Sequence, residues 1–141
     1  MSEKLNEVLY TSEATSTGGR EGTVKSADGV IDLALGKPGS EANPKANPET
    51  LFAAGYSACF GGALAAVAGQ EGIDVSESTV TADVSLGKTD TGFGISAKLT
   101  AKIPGVDAAK AQDLADKAHQ FCPYSKATRG NIDVTIVGEP A

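Results

Sequence analysis

The chain has 141 residues, a formal net charge of −6 and a sequence pI of about 4.7. This length fits one domain, 1–141, that can bury a core without a metal or a disulfide. An acidic chain lacks the surplus of cations that binds nucleic-acid phosphates or an anionic membrane surface, so both partner classes are excluded.

The N-terminus has no apolar run behind a basic start, so we expect no secretory signal and a cytoplasmic location. Because the cytosol keeps thiols reduced, the two cysteines, Cys59 and Cys122, are expected to be inert core residues, metal ligands or catalytic groups. Residues 51–70 carry no charge and approach the length of a membrane span. They are mostly Ala and Gly, which favours a helix buried inside a protein.

The first third of the chain predicts a small antiparallel meander, because Thr-rich alternating segments are separated by glycine turns. The predicted elements are a strand over 8–16, a turn at 18–19, a strand over 20–26, a turn at 28–29, a strand over 30–35 and a loop over 36–46.

A long helix is predicted to begin at Asn47-Pro48-Glu49. Asn47 can cap it, Pro48 suits the first helical position, and Glu49 meets the positive end of the helix dipole. The helix should run to about residue 68. Its richness in Ala and Gly indicates that another helix, from this chain or a second copy, packs closely against it.

The remaining segments complete an α+β order, β-β-β-α-β-β-α-β. They are strands over 75–86 and 93–103 around a turn at 87–94, an amphipathic helix over 106–121, and a final strand over 131–137. Pro123 disfavours helical backbone at Cys122, so the second helix should end there.

Cys59 lies about three turns into its helix, beyond the reach of the N-terminal dipole. Its neighbours on the helix face are mostly small: Gly55, Tyr56, Gly62 and Ala63. A half-buried thiol has a raised pKa, so a reactive thiolate there needs a nearby cation. The two arginines, Arg20 and Arg129, are the candidates, and Glu49 could hold one of them through a bidentate pair.

Glu49 and Cys59 are separated by about 15 Å of rise on a straight helix. They cannot both contact one arginine from the same copy of an unbroken helix. If they act together, the spacing favours a site built across a dimer interface.

The residues taken singly leave other interpretations open. Cys59 fits an inert core thiol, Arg20 a turn residue, Glu49 an ordinary first-turn acid, and the single His119 a partly exposed helix residue. Arg129 fits a loop residue as well as a second charge near the thiols. A metal site of Cys59, Cys122 and His119 would lack a fourth ligand, so no metal is expected.

Three motifs resemble those of the organic hydroperoxide resistance (Ohr) proteins of the Ohr/OsmC family. The first cysteine motif is residues 47–60, NPETLFAAGYSACF, and the second is residues 122–131, CPYSKATRGN. The N-terminal signature is residues 9–11, LYT, with residues 18–20, GGR. The match spans essentially the whole chain and favours the Ohr branch over its OsmC relatives.

The resemblance implies an Ohr/OsmC-like fold, with antiparallel β-sheets packed around a long central helix rich in small residues and a second helix. It implies an intertwined homodimer with active sites at the subunit interface. It also implies a cofactor-independent thiol peroxidase that reduces alkyl and fatty-acid hydroperoxides in oxidative-stress defence. Its reductant would be a dithiol such as the dihydrolipoyl groups of lipoylated proteins.

By the same resemblance, Cys59 is the peroxidatic cysteine and Cys122 the resolving one, which together form a redox-active disulfide. Arg20 and Glu49 match the charged pair at the peroxidatic thiol. The expected apolar lining of the substrate site is Phe52, Tyr56, Phe60 and Phe121.

The chain departs from the family pattern in two places that touch no proposed catalytic group. The loop at 39–46 is poorer in glycine than usual, and Thr50 stands where glutamine is common. Two alternative functions remain open: an OsmC-like peroxidase or thiol redox sensor, and a non-enzymatic dimeric binding protein with inert cysteines.

Overall fold

The computed structural model describes residues 2–39 and 44–141. The chain forms two compact units, Met1–Pro48 and Glu49–Ala141. The middle of the loop predicted over 36–46, and with it half of the altered segment 39–46, lies outside the described residues.

The first unit carries a three-stranded antiparallel sheet, as predicted, in the order β1-β2-β3. The strands are shorter than expected: β1 Ala14–Thr17, β2 Thr23–Ser26 and β3 Asp32–Ala34. A 3-10 turn at Gly19–Glu21 replaces the start of the predicted second strand. Gly18 and Gly19 both have positive φ angles, 77° and 64°, which bend the chain there and cut that strand short.

The second unit is organised by the predicted long helix, α1, which spans Pro48–Gln70 without a break. One face of α1 enters the hydrophobic core through six residues: Tyr56, Phe60, Ala63, Leu64, Val67 and Ala68. By length and composition alone α1 could cross a membrane, and 33% of its most apolar window is buried. The buried part packs on strands and on a second helix, which is the position of a core helix in a globular protein.

The second sheet corrects one expectation, because it is mixed rather than antiparallel. Its strands are β4 Thr79–Thr89, β5 Gly92–Ile103 and β6 Val134–Pro140, in the order β4-β5-β6. β4 and β5 form the predicted antiparallel hairpin, whereas β6 runs parallel to β5. The chain between β5 and β6 contains helix α2, Ala108–Phe121, and such a helical crossover returns the chain in the parallel direction.

The prediction of two helices is incomplete, because a third, α3, spans Pro123–Thr128. The predicted end of α2 is confirmed: Cys122 is extended, with φ −68° and ψ 126°. Pro123 then occupies the first turn of α3, a position that suits proline because its missing amide has no helical partner there. The same residue therefore ends one helix and begins the next.

Helix α2 approaches β6 so closely that only a glycine fits between them. A Cβ atom on Gly138 would lie 2.2 Å from the carbonyl oxygen of Ala111. The side chain of Gln112 also joins helix and strand, since its Oε1 accepts from the Gly138 amide at 2.8 Å and its Nε2 donates to the Ile136 carbonyl at 3.2 Å. These contacts hold α2, and with it the position of Cys122, against the sheet.

We expect Gly138→Ala to lower the free energy of unfolding by about 1–3 kcal/mol, because the added methyl group would overlap helix backbone that cannot rotate away. The measurement is urea unfolding followed by circular dichroism. Gly87→Ala is the matched control, since a Cβ on this strand glycine would meet nothing within 4 Å. Equal stability of the two variants would contradict the close approach of α2 to β6.

Candidate active site

The two cysteines, far apart in sequence, lie side by side in the second unit. Cys59 stands on α1, Cys122 at the corner between α2 and α3, and their Sγ atoms are 3.5 Å apart as free thiols. Cys122 is fully buried and Cys59 partly exposed. Since a disulfide bond is about 2.05 Å long, the sulfurs need to approach by only about 1.5 Å to be joined. Solvent reaches the pair from the Cys59 side.

The surroundings of Cys59 within the second unit favour its neutral thiol. Burial raises the pKa of Cys59 above its ordinary value, and the Cys122 thiol beside it raises the pKa further. The backbone amide of Tyr124 acts in the opposite direction and lowers the pKa, because it donates to the sulfur. A thiolate at Cys59 therefore calls for a cation in addition to this amide, as the sequence indicated.

A chain of buried hydroxyl groups ties α3 to α1 next to the thiols. The hydroxyl of Tyr56, one helical turn before Cys59, lies 2.8 Å from Ser125 Oγ and 3.0 Å from Thr128 Oγ1. Ser125 Oγ also lies 2.8 Å from Nδ1 of His119 on α2. Tyr56 and Ser125 have no exposed surface, so these bonds are shielded from water.

His119 and Arg129 join the end of α2 to the end of α3. The Arg129 guanidinium donates to the carbonyl of His119, which lies in the last turn of α2 where carbonyl groups lack helical partners. Burial lowers the pKa of His119, and the positive charge of Arg129 lowers it further, so the imidazole is neutral near pH 7. This bond gives Arg129 a structural role, and its role as a second charge near the thiols stays a prediction.

Aromatic rings line α1 on the side that leads to Cys59. Phe52, Tyr56 and Tyr124 form a cluster with ring centroids 5.8–6.3 Å apart. Gly55 makes room for this cluster, since a Cβ there would lie 2.9 Å from the Tyr124 hydroxyl. Phe52 and Tyr56 thus lie together, but Tyr56 is fully buried, and the part of both residues in a substrate lining stays a prediction.

The other two residues expected in that lining lie elsewhere in the second unit. Phe60 is fully buried in the core, and Phe121 is 57% exposed at the end of α2. Their contribution to a substrate site remains a prediction.

The charged residues expected at the thiol belong to different elements of the chain. Arg20 lies in the 3-10 turn of the first unit, and Glu49 in the first turn of α1. Because α1 is unbroken, Glu49 and Cys59 are separated by about 15 Å along the helix axis, as the sequence predicted. No three His, Cys, Asp or Glu side chains are grouped as metal ligands within residues 2–39 and 44–141.

Sequence reasoning missed the groups of α3 that contact α1, at Cys59 and at Tyr56. The Tyr124 amide and the Ser125 and Thr128 hydroxyls depend on a helix of only six residues, too short for hydrophobic periodicity to detect. The available signal was Pro123, which marks a helix start as well as a helix end.

We expect Cys122→Ala to lower the pKa of Cys59, because it removes the neighbouring thiol that disfavours the thiolate. Alkylation of Cys59 by iodoacetamide should then rise at a lower pH than in the unchanged protein. The rate is measured by peptide mass spectrometry across pH 5–10, with urea-unfolded protein as the reference for an unperturbed thiol. A profile displaced to higher pH would contradict this electrostatic account.

Comparison with known proteins identifies the family to which this fold belongs. The sequence model of the OsmC-like protein family matches residues 39–137. An organic hydroperoxide resistance protein of Xanthomonas axonopodis pv. citri is 51% identical over 133 residues, covering 92% of this chain and 94% of its own. The protein OhrB of Bacillus subtilis is 48% identical over 132 residues, covering 91% and 96%.

Solved structures give the same result for the fold. The crystal structure of Bacillus subtilis OhrB superposes with a TM-score of 0.86 at 46% identity, covering 95% of this chain and 100% of that one. An organic hydroperoxide resistance protein from Elizabethkingia anophelis superposes with a TM-score of 0.87 at 50% identity, covering 96% and 99%. The chain therefore belongs to the OsmC-like family, within its branch of organic hydroperoxide resistance proteins.

Proposed function

We propose that this protein is a two-cysteine thiol peroxidase that reduces organic hydroperoxides in oxidative-stress defence. The observation that carries the proposal is the 3.5 Å separation of the Cys59 and Cys122 sulfurs, with one thiol partly exposed and the other buried. The close relatives named organic hydroperoxide resistance proteins support the substrate class.

The proposed reaction begins at Cys59. Its thiolate attacks the outer oxygen of R–O–O–H, so the S–O bond forms as the O–O bond breaks. The products are the Cys59 sulfenic acid and an alkoxide, which takes up a proton to leave as the alcohol. Sulfur is oxidised and the peroxide is reduced.

Cys122 completes the cycle. Its thiol condenses with the sulfenic acid to give the Cys59–Cys122 disulfide and one molecule of water. An external dithiol then reduces this disulfide by exchange and is itself oxidised to a disulfide. A dihydrolipoyl group of a lipoylated protein is such a dithiol, and the cytoplasm would keep it reduced.

Arg20 is the proposed cation at the Cys59 thiolate, with Glu49 holding the guanidinium in place. The need for a cation follows from the burial and the Cys122 thiol, which both raise the pKa of Cys59. Arginine suits the role, since its charge is permanent and its fork of donors can orient a peroxide as well.

We further propose that the functional unit is a homodimer with sites at the interface. Large apolar side chains of the first unit stand open to solvent in the single chain: Leu5 at 81%, Leu9 at 83%, Tyr10 at 84% and Val30 at 80% exposed. The face of α1 opposite the core presents small residues, namely Ala54, Ala58, Gly62, Ala65 and Gly69. A second copy would bury both surfaces and could bring its Glu49 to this chain's Cys59.

The aromatic cluster supports a preference for alkyl over hydrogen peroxide. Burying an alkyl tail against Phe52 and Tyr124, the rings of the cluster that have exposed surface, would contribute about 0.8 kcal/mol per CH₂ group, a term that hydrogen peroxide lacks. Fatty-acid hydroperoxides would benefit most. Tyr56 is fully buried and would line the site only after a rearrangement. Phe60 and Phe121 would join this lining only through the second copy or a rearrangement.

A thiol redox sensor is the second candidate, since the same pair of adjacent sulfurs would serve it. A sensor reacts once and requires a partner to read its state, whereas a peroxidase turns over with a dithiol. Sustained consumption of an alkyl hydroperoxide in the presence of dihydrolipoamide separates the two. A binding protein with inert cysteines would show neither oxidation nor turnover.

The first test is intact-mass analysis of the reduced protein after one equivalent of cumene hydroperoxide. We expect a loss of about two hydrogens, as one Cys59–Cys122 disulfide requires. Cys59→Ser should show no reaction, because it lacks the attacking sulfur. Cys122→Ser should gain one oxygen on Cys59 and proceed to the sulfinic acid with more peroxide. An unchanged mass of the unaltered protein would refute the proposal.

The second test asks from which copy Glu49 acts, using hybrid dimers of Cys59→Ser and Glu49→Ala chains made by co-expression with two affinity tags. If Glu49 serves the other subunit, the hybrid contains one complete site and should recover about half of the activity of the unaltered dimer, because the sites turn over independently. If Glu49 acts within its own chain, no complete site forms. An activity no higher than that of the Glu49→Ala dimer would contradict the shared site.

A further inference from the structure

We propose that Tyr56, Ser125 and His119 are positioning residues for Cys122, holding α3 and α1 at the separation from which the disulfide closes. This inference rests on the proposed function and adds a group of residues to its second step. The three side chains form a continuous chain of contacts from Tyr56 Oη through Ser125 Oγ to His119 Nδ1, with 2.8 Å at each step.

The contacts between Tyr56, Ser125 and His119 run alongside the pair of thiols. Tyr56 precedes Cys59 by one turn of α1, and Ser125 follows Cys122 by one turn of α3. Two contacts thus join the helices side by side, Tyr56 with Ser125 and Cys59 with Cys122. A change in the first alters the distance in the second, because each helix is rigid over one turn.

His119 fixes the other side of the corner that carries Cys122. It lies one turn before Cys122 on α2, so the cysteine is flanked by two residues, His119 and Ser125, that bond to each other. The bond from the Arg129 guanidinium to the His119 carbonyl also joins α3 to α2, so two bonds restrict the angle between the helices at the extended backbone of Cys122. Because His119 on α2 is bonded to Ser125 on α3, the two helices meet at Cys122 at one fixed angle.

Hydroxyl groups suit this task better than apolar side chains. A hydrogen bond has a preferred length and direction, whereas apolar contacts allow the surfaces to slide. Thr128 adds to the same set, since its Oγ1 lies 3.0 Å from Tyr56 Oη and donates to the Ser125 carbonyl at 3.2 Å. Being buried, these groups stay paired, because an unpaired one would be costly.

The position of Cys122 matters because its reaction competes with over-oxidation. A sulfenic acid on Cys59 is consumed either by Cys122 or by a second peroxide, which gives the sulfinic acid. A misplacement on the order of 1 Å can cost a hundredfold in the rate of such a step. The bonded side chains of Tyr56, Ser125 and His119 therefore set the fraction of the enzyme that escapes over-oxidation in each turnover.

The test measures the dithiol–disulfide equilibrium in dithiothreitol redox buffers, which needs no peroxide. We expect Ser125→Ala and Tyr56→Phe each to lower the equilibrium constant for the Cys59–Cys122 disulfide at least about tenfold. The double variant should lose little more, because the two groups act as one unit. His119→Ala removes a partly exposed side chain, so it should fold readily and show the same direction. Ser85→Ala, an exposed hydroxyl on β4, is the matched control.

A kinetic measurement accompanies it, with cumene hydroperoxide, rapid quenching and trapping of the sulfenic acid by dimedone. The variants should accumulate trappable sulfenic acid and sulfinic acid that the unaltered protein and Ser85→Ala do not. Equilibrium constants within about twofold of the unaltered protein in all three folded variants would overturn the positioning role. An unaltered protein that forms the disulfide in redox buffer but does not react with peroxide would instead refute the proposed function alone.

Discussion

The arrangement of the second unit depends on the backbone constraint that Pro123 places on Cys122. A proline keeps the preceding residue out of the helical conformation, so α2 must end, and its own fixed φ angle favours the helix that follows. The chain turns at that point, and α3 folds back beside α1. Cys122 reaches Cys59 for this reason, and the Tyr124 amide and Ser125 hydroxyl reach the same side of α1.

Much of this fold is accessible from the sequence because its strongest features are local. The start of α1 follows from Asn47-Pro48-Glu49, the end of α2 from Pro123, and the β4–β5 hairpin from alternation around a glycine turn. The parallel pairing of β6 is not local, since it depends on how α2 crosses the sheet. Gly138 shows this limit: it is an ordinary strand glycine in sequence and a point of backbone contact in the structure.

The candidate site likewise has features that the sequence predicts and features that it does not. The family motifs single out both cysteines, and the structure brings their sulfurs together. Charge and motif single out Arg20 and Glu49 as candidates, and α1 keeps Glu49 and Cys59 on different turns of one unbroken helix, which is why we propose a site shared between two chains. The hydroxyl partners of Tyr56 could not be predicted, because Ser125 and Thr128 meet it only after α3 has formed.

Gln112 has a consequence for solubility. β6 is an edge strand, and the free amide and carbonyl groups of an edge are a template on which strands of other molecules can add. The side-chain amide of Gln112 occupies both the Gly138 amide and the Ile136 carbonyl, much as one peptide group of a neighbouring strand would. Helix α2 thereby occupies two backbone groups of this edge, which disfavours the pairing of a strand from another molecule at those positions.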